Sequence, residues 1–133
     1  MSSDRWTDLD DVSVGDGRAT GARNVTNTLG FLDSHFPRFP VMPGVLILGS
    51  LGRLAGALLA EQPGGAWTLR SASRVGFRHF VRPGDRLELT VELVGLQGGR
   101  ATLKGDATVG GTLVVRARQL TMERTSPKQP EGR

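Results

Sequence analysis

One of the two histidines in this chain opens a segment that carries the features of a reaction centre. His35 begins a loop stiffened by several prolines, and Gly44 then starts an apolar run over residues 45–60. Because the first N–H groups of a helix have no partner within it, those of Gly44 and Val45 are available to bind an oxyanion. A general base beside such donors is what proton chemistry next to a thioester carbonyl requires.

The composition indicates one domain without cysteine or metal chemistry. The chain has 133 residues, 38% of them hydrophobic, which suffices for a single core. It has no cysteine, which excludes disulfides and thiol nucleophiles, and two histidines far apart make a poor metal site. No uninterrupted apolar stretch of about 18 residues occurs, and the first residues do not resemble a secretory signal. We therefore expect no membrane span and a cytoplasmic location.

The charge of the chain favours an acidic partner. The net charge is +4, and 15 of the 17 basic residues are arginine. A basic surface attracts acidic molecules such as an acidic carrier protein, although a general preference for arginine over lysine gives the same composition. No basic run occurs and the aromatic content is 5%, so we expect no nucleic-acid partner.

The pattern along the chain predicts an α+β domain. We expect flexible residues 1–8, one domain over residues 9–123 and a disordered tail over residues 124–133. The apolar run predicts a helix over residues 43–61, and alternation predicts strands over residues 19–26, 67–81, 86–93, 101–109 and 112–122. Short turns predict an antiparallel meander, so five or six strands should wrap around one long central helix.

The predicted helix has two unlike faces. Large apolar side chains share one face at helical spacing: Ile47, Leu51, Leu54 and Leu58. Glycines share the other face beside Arg53: Gly49, Gly52 and Gly56. Glycine lowers helix stability by about 1 kcal/mol relative to alanine. Three glycines on one face therefore predict that something approaches the helix backbone closely there.

Several segments of the chain carry the pattern of a known family. They are Asn24-Val25-Thr26, His35-Phe36-Pro37, Pro40-Val41-Met42-Pro43-Gly44-Val45-Leu46, Val75-Gly76-Phe77-Arg78, Val81-Arg82-Pro83-Gly84-Asp85-Arg86-Leu87 and Lys104-Gly105-Asp106-Ala107-Thr108-Val109. With the order of elements, they resemble the hot-dog fold, and within it the 3-hydroxyacyl-[acyl carrier protein] dehydratases of the bacterial fatty-acid type. The resemblance covers residues 19–122.

The resemblance implies a dehydratase whose active sites lie between two hot-dog subunits. A histidine of one subunit removes the α-proton of a 3-hydroxyacyl thioester, and a helix carboxylate of the other subunit helps the hydroxyl leave. His35 takes the position of the base, and Gly44, with Val45, takes that of the oxyanion donors. The resemblance implies no cofactor or metal, because the substrate arrives on the phosphopantetheine arm of a carrier protein.

Other side chains fit substrate and carrier contacts, with plainer roles equally open. Four apolar residues could line an acyl tunnel or simply pack in the core: Phe36, Phe39, Met42 and Leu48. Four arginines could dock the acidic carrier or form a solvated surface: Arg38, Arg74, Arg78 and Arg82. Arg38 also replaces the glycine that the family usually has after its His-Phe-Pro motif.

The sequence departs from the family where the carboxylate should stand. Gly49 occupies that position, five residues after Gly44, and neither it nor the following Ser50 can protonate a leaving hydroxyl as a carboxylic acid does. Three hypotheses follow. The chain is one subunit of a hetero-oligomeric dehydratase whose partner supplies the acid, a homodimer with altered chemistry such as thioester hydrolysis or isomerisation, or a non-catalytic subunit that binds an acyl carrier or stabilises a partner.

Overall fold

A computed structural model of the protein describes residues 9–25, 44–60 and 66–125. These residues form the helix α1 (Gly44–Leu59) and the strands β1 (Asp10–Gly15), β2 (Arg18–Asn24), β3 (Ala66–Phe77), β4 (Arg86–Gln97), β5 (Arg100–Val109) and β6 (Thr112–Thr125). The predicted α+β architecture, an antiparallel sheet of five or six strands with one central helix, is confirmed for this part of the chain. The short strand β1 was not predicted.

The six strands form one antiparallel sheet in the order β1-β2-β4-β5-β6-β3. Strands β4, β5 and β6 form the predicted meander, and Gly110 and Gly111 supply the positive φ angles that its second turn requires. The prediction of one continuous meander after the helix is wrong for β3. This strand pairs with β6 at the edge of the sheet, while β2 pairs with the other side of β4.

The helix α1 lies on the inner face of the sheet, where it contacts all six strands. Its predicted apolar face is buried against the sheet: Ile47, Leu51, Leu54 and Leu58. Gly105 of β5 lies beneath it, where an added Cβ would come 3.3 Å from Leu51 Cδ2. Within the described ranges, no helix has the length and apolarity needed to cross a membrane.

The last strand extends slightly beyond the domain boundary predicted at residue 123. Strand β6 continues to Thr125, whose hydroxyl donates a hydrogen bond to the Ala66 carbonyl at 2.9 Å. The hydrogen bond explains the extension because it joins the end of β6 to the start of β3. Residues 1–8 and the tail from residue 126 lie outside the described residues.

The burial of α1 predicts which leucine the fold needs. Leu51 is fully buried, so Leu51→Ala should lower the free energy of unfolding by about 2–5 kcal/mol through lost burial and an unfilled cavity. Val94→Ala is the matched control, because Val94 is exposed, and it should change stability by less than about 0.5 kcal/mol. Urea denaturation at one protein concentration measures both values, and equal small losses would contradict this account of the core.

Candidate active site at the start of the helix

The start of α1 lies against an aromatic ring of strand β3. The helix begins at Gly44, one residue from the predicted start. An added Cβ on Gly44 would lie 2.9 Å from Cδ1 and 3.0 Å from Cζ of Phe77, closer than atoms can pack without a shift. The ring therefore occupies the space of a side chain at position 44, and only glycine fits without displacing it.

The same position is suited to hold a developing negative charge. The first N–H groups of α1 lack partners within the helix, and the helix dipole places partial positive charge at this end. Backbone N–H groups at a helix start are a general binding site for such charge, and the oxygen of an acyl group is a suitable acceptor. The arrangement can thus polarise a carbonyl, provided that a substrate reaches the helix start.

Two exposed apolar side chains lie at this helix start. Val45 follows Gly44 in the helix and is 68% exposed, and Phe77, whose ring covers Gly44, is 56% exposed. Exposed apolar side chains that lie together can form a surface that contacts another molecule. We name Val45 and Phe77 the helix-start patch.

The chain after β3 is held in place by a tight turn. The Arg82 N–H donates to Asp85 Oδ2 at 2.9 Å, and Gly84 adopts a φ of 96°, which favours glycine. The turn is joined to the end of β2, because the Gly84 N–H donates to the Val25 carbonyl at 2.7 Å and the Val25 N–H donates to the Asp85 carbonyl at 3.0 Å. The predicted Pro-Gly-Asp turn therefore fixes the chain that leads away from Phe77.

A second concavity runs along the glycine face of α1. This helix groove, of about 700 Å³, is lined by Gly49, Gly52, Arg53, Gly56, Trp67 and Leu69, among others. The predicted close approach occurs at Gly52, where an added Cβ would come 3.3 Å from Leu69 Cβ, but it is wrong for Gly56, where nothing lies within 4 Å. Gly49, where the sequence predicts a missing carboxylate, lies in the same groove, whose size is typical of small-molecule sites.

Two other helix residues have structural roles. Ser50 is fully buried, and its hydroxyl donates to the Leu46 carbonyl at 3.1 Å, so it has no reacting partner there. Leu48, predicted for the acyl tunnel or the core, is partly buried and packs against the core.

Among the described ranges, no three His, Asp or Glu side chains come together as a metal site.

The predicted site residues divide into three groups. Gly44 and Val45 lie at the helix start and Gly49 lies in the groove. Arg74, Arg78 and Arg82 are exposed, and Arg74 lines a concavity on the opposite face of the sheet. The base and most of the tunnel and loop residues lie outside the described residues: His35, Phe36, Arg38, Phe39 and Met42.

Phe77 is the site residue that sequence reasoning missed. It was read as part of a family motif in a strand, and nothing local in the sequence shows that its ring would cover Gly44, 33 positions earlier. The only available signal was the glycine at the helix start, which indicates a close approach without identifying the neighbour.

Comparison with known proteins gives a consistent result. A family model described as a FabA-like domain matches residues 3–118. The 3-hydroxyacyl-[acyl-carrier-protein] dehydratase FabZ of Bacillus pumilus (strain SAFR-032) is 39% identical over 106 residues, which cover 77% of this chain and 74% of that protein. The FabZ of Bacillus subtilis (strain 168) is 38% identical and covers 84% of this chain and 78% of its own length.

Solved structures support the fold. The dehydratase heterocomplex ApeI:P from Xenorhabdus doucetiae aligns with a TM-score of 0.74 at 16% identity, covering 94% of this chain and 87% of that chain. A Streptococcus mutans UA159 protein, smu.793, bound to acetyl CoA, aligns with a TM-score of 0.70 at 19% identity and covers 90% of both chains. At these identities the likeness concerns the fold, and it confirms the hot-dog architecture.

The contact between Gly44 and Phe77 predicts an energetic coupling. Gly44→Ala moves the exposed ring of Phe77 aside, so the roughly 1 kcal/mol that alanine gains over glycine in a helix should be partly lost. The gain in stability from Gly44→Ala should therefore be larger in a Phe77→Ala background, where the methyl has room. Denaturation of the wild type, both single variants and the double variant measures this coupling. An effect of equal size in both backgrounds would show that the ring does not limit position 44.

Proposed function

This chain belongs to the FabA-like domain family, and we propose that it takes part in dehydrating a 3-hydroxyacyl thioester presented by an acyl carrier protein. The start of α1 is the observation that carries the proposal, because its first backbone N–H groups have no partner within the helix and can bind a carbonyl oxygen. Enzymes of this class must stabilise negative charge on the thioester oxygen while a proton leaves the neighbouring carbon. The FabZ relatives carry the corresponding activity in their names.

The reaction assigns each group one task. The imidazole of His35 removes a proton from the α-carbon, and the N–H groups of Gly44 and Val45 bind the thioester oxygen as it gains negative charge. The electron pair then forms the α,β double bond as the bond between the β-carbon and its oxygen breaks. The hydroxyl takes a proton from an acid and leaves as water, which gives the 2-enoyl thioester.

The acid for the last step comes from another polypeptide in this proposal. Gly49 has no side chain, and the guanidinium of Arg53, one turn further along the groove, cannot replace a carboxylic acid as the proton donor. A homologous hot-dog subunit would supply the carboxylate across a shared interface. The dehydratase ApeI:P, a heterocomplex of the same fold, offers a precedent for this division.

Two surfaces support an interface with such a subunit. Strand β3 is a 12-residue edge strand, and a long unpaired edge is available to another strand. The helix-start patch, beside the end of the same strand, exposes apolar side chains that a second subunit would cover. A subunit placed along β3 would therefore adjoin the proposed oxyanion donors.

Exposed arginines near the proposed site could dock the acyl carrier protein. Arg78 and Arg82 are exposed in the segment that follows Phe77, where they could attract an acidic carrier protein, together with Arg38 of the preceding loop. The phosphopantetheine arm would bring the acyl group to the site, and the chemistry above requires no further cofactor. We place this reaction in the cytoplasm, in fatty-acid or polyketide synthesis.

The glycine at position 49 also favours a second candidate function. A chain without its own acid could serve as a non-catalytic subunit that binds the acyl carrier or stabilises a complete partner. Thioester hydrolysis or isomerisation in the same pocket would be the corresponding altered chemistry. These alternatives differ from the main proposal in turnover and in the product formed.

Restoring the carboxylate tests the division of labour. The chain alone should give no dehydration of a 3-hydroxyacyl-carrier substrate above background, and Gly49→Glu should raise the rate to about 10²–10⁴-fold above that background, the usual contribution of a positioned acid. Gly49→Gln is the matched control, because it has the same size and no acid. Absorbance of the conjugated enoyl thioester measures the rate. Equal rates for the two variants, with both folded by circular dichroism, would exclude an acid role at position 49.

Mixing with a second subunit separates the hypotheses. With a hot-dog protein encoded beside this one, dehydration should appear only in the mixture and should fall at least about 10²-fold with His35→Ala, because the base is lost. Carrier binding without turnover, unaffected by His35→Ala, would favour the non-catalytic subunit. Release of free thiol instead of enoyl product would favour hydrolysis. Full dehydration by the unmixed wild type would contradict the shared site.

A further inference from the structure

The outer face of the sheet, opposite α1, carries a basic concavity of about 490 Å³. Five cations line it: Arg18, Arg74, Lys104, Arg116 and Arg118. The chain neighbours Ala19, Leu103 and Ala117 are buried in the core, so Arg18, Lys104, Arg116 and Arg118 belong to the face turned away from the helix. We name the concavity lined by the five cations the outer trough. It is separate from the helix groove and from the helix-start patch.

Two of the five cations are already paired with carboxylates. Arg116 Nε and the nitrogen Nη2 donate to the two oxygens of Asp106 at 3.0 and 3.2 Å, and this hydrogen bond and the carboxylate charge raise the pKa of Arg116. Lys104 Nζ lies 3.8 Å from a Glu92 oxygen. Arg18, Arg74 and Arg118 form no ion pair with the described residues, so the trough keeps an excess of positive charge.

The register of the sheet sets like charges beside one another. The pairs Ser73–Gln119 and Val75–Ala117 place Arg74 across from Arg118. On the other side of β6, the pairs Leu103–Leu120 and Gly105–Ala117 place Lys104 next to Arg118.

The three neighbouring strands carry these cations within a short distance of one another. Strands lie about 4.8 Å apart, so Arg74, Arg118 and Lys104 stand within about 10 Å. Like charges that face one another across strands destabilise a sheet. The three neighbouring cations therefore do not stabilise the free chain. A bound anion would offset the repulsion between them.

Arg74 is also held in an unfavourable backbone conformation. Its φ is 55°, in the left-handed region that side chains other than glycine rarely adopt, although it lies inside strand β3. Strained residues of this kind occur at functional sites, where the surrounding structure imposes the conformation. Glycine at position 74 would adopt this φ without strain. The chain has an arginine there instead, and that arginine is one of the cations of the outer trough that form no ion pair with the described residues.

From these observations we propose that the outer trough binds a small molecule that carries several linked phosphate groups. Its volume falls within the range of small-molecule sites. Linked phosphates place several negative charges within a few ångströms, which matches three cations on neighbouring strands. The arginine guanidinium can also bind phosphate oxygens in pairs. An acidic protein surface fits less well, because its carboxylates are more widely spaced. Nucleic acid also fits less well, because no aromatic side chain lines the trough on which a base could stack.

This site does not depend on the proposed dehydratase function. A subunit added along the β3 edge would extend the sheet in its own plane and would leave the outer face open. Phosphate binding and thioester chemistry can therefore be tested separately. Binding of polyphosphate by this chain, with no dehydration even in the mixture with its hot-dog partner, would support this inference and contradict the proposed function.

Calorimetric titration of the full chain with inorganic tripolyphosphate tests the proposal. We expect saturable binding that weakens as salt rises and that Arg118→Gln weakens by about 10-fold or more, as the loss of a charged hydrogen bond predicts. Arg70→Gln is the matched control on strand β3. Arg70 pairs with Glu123 at 3.2 Å and lies outside the trough, so its removal should leave the affinity unchanged.

A second variant separates binding from stability. Arg74→Gly should weaken tripolyphosphate binding while raising the Tm, because glycine relieves the positive φ and the substitution removes one like charge. Loss of binding through unfolding would instead lower the Tm.

Three results would each overturn the proposal. The first is no binding of tripolyphosphate at about millimolar concentration, which is a very weak affinity for a charged site. The second is equal affinity for Arg118→Gln, Arg74→Gly and Arg70→Gln. The third is tight binding of polyglutamate that tripolyphosphate does not displace, because it would assign the surface to an acidic protein.

Discussion

Burial of one almost wholly apolar helix is the constraint on which the rest of this structure depends. Helix α1 carries a single charged side chain, Arg53, so most of its surface has to be removed from water. All six strands contact the helix, so the residues that face it are apolar and the charged residues lie on the outer face. The first N–H groups of the helix cannot be buried without partners, so they require water or a ligand. The candidate active site and the basic outer face are both consequences of this arrangement.

The glycines of α1 allow neighbouring side chains to pack closely against the helix, and some of them line the helix groove. Gly44 lies under the Phe77 ring and Gly52 against Leu69, so in both cases a close neighbour requires the missing side chain. Each glycine lowers helix stability by roughly 1 kcal/mol compared with alanine, and the close packing offsets part of that loss. Gly49 lines the groove on the glycine face of the helix. The proposal that a second subunit supplies the acid depends on this position having no side chain.

Local pattern was sufficient to predict the helix and most of the strands. The alternation in β4 and the Gly110-Gly111 turn follow directly from residue type and spacing. Strand β1 was missed because it is short, polar and interrupted by a bulge near Asp11. The pairing of β3 with β6 was also missed, because it depends on where the helix places β3, and no short turn connects the two strands.

Site residues were predictable only where the backbone itself carries the chemistry. Gly44 could be found because a glycine after prolines marks a helix start, whereas Phe77 is defined by a long-range contact. Arg70, Arg74 and Arg78 are spaced four residues apart and would share one face of a regular strand, but the register shift after Leu69 and the positive φ of Arg74 interrupt the alternation of β3. Arg70 pairs with Glu123, and Arg74 faces the outer trough.

The position of the thioester oxygen relative to the helix start tests the central claim most directly. A crystal structure of this chain, together with its hot-dog partner and a non-hydrolysable 3-hydroxyacyl pantetheine amide, would locate that oxygen. The account predicts that it lies about 2.7–3.1 Å from the backbone nitrogen of Gly44 or Val45, the distance of a working oxyanion donor. An acyl group bound elsewhere, with its carbonyl far from the first turn of α1, would contradict it.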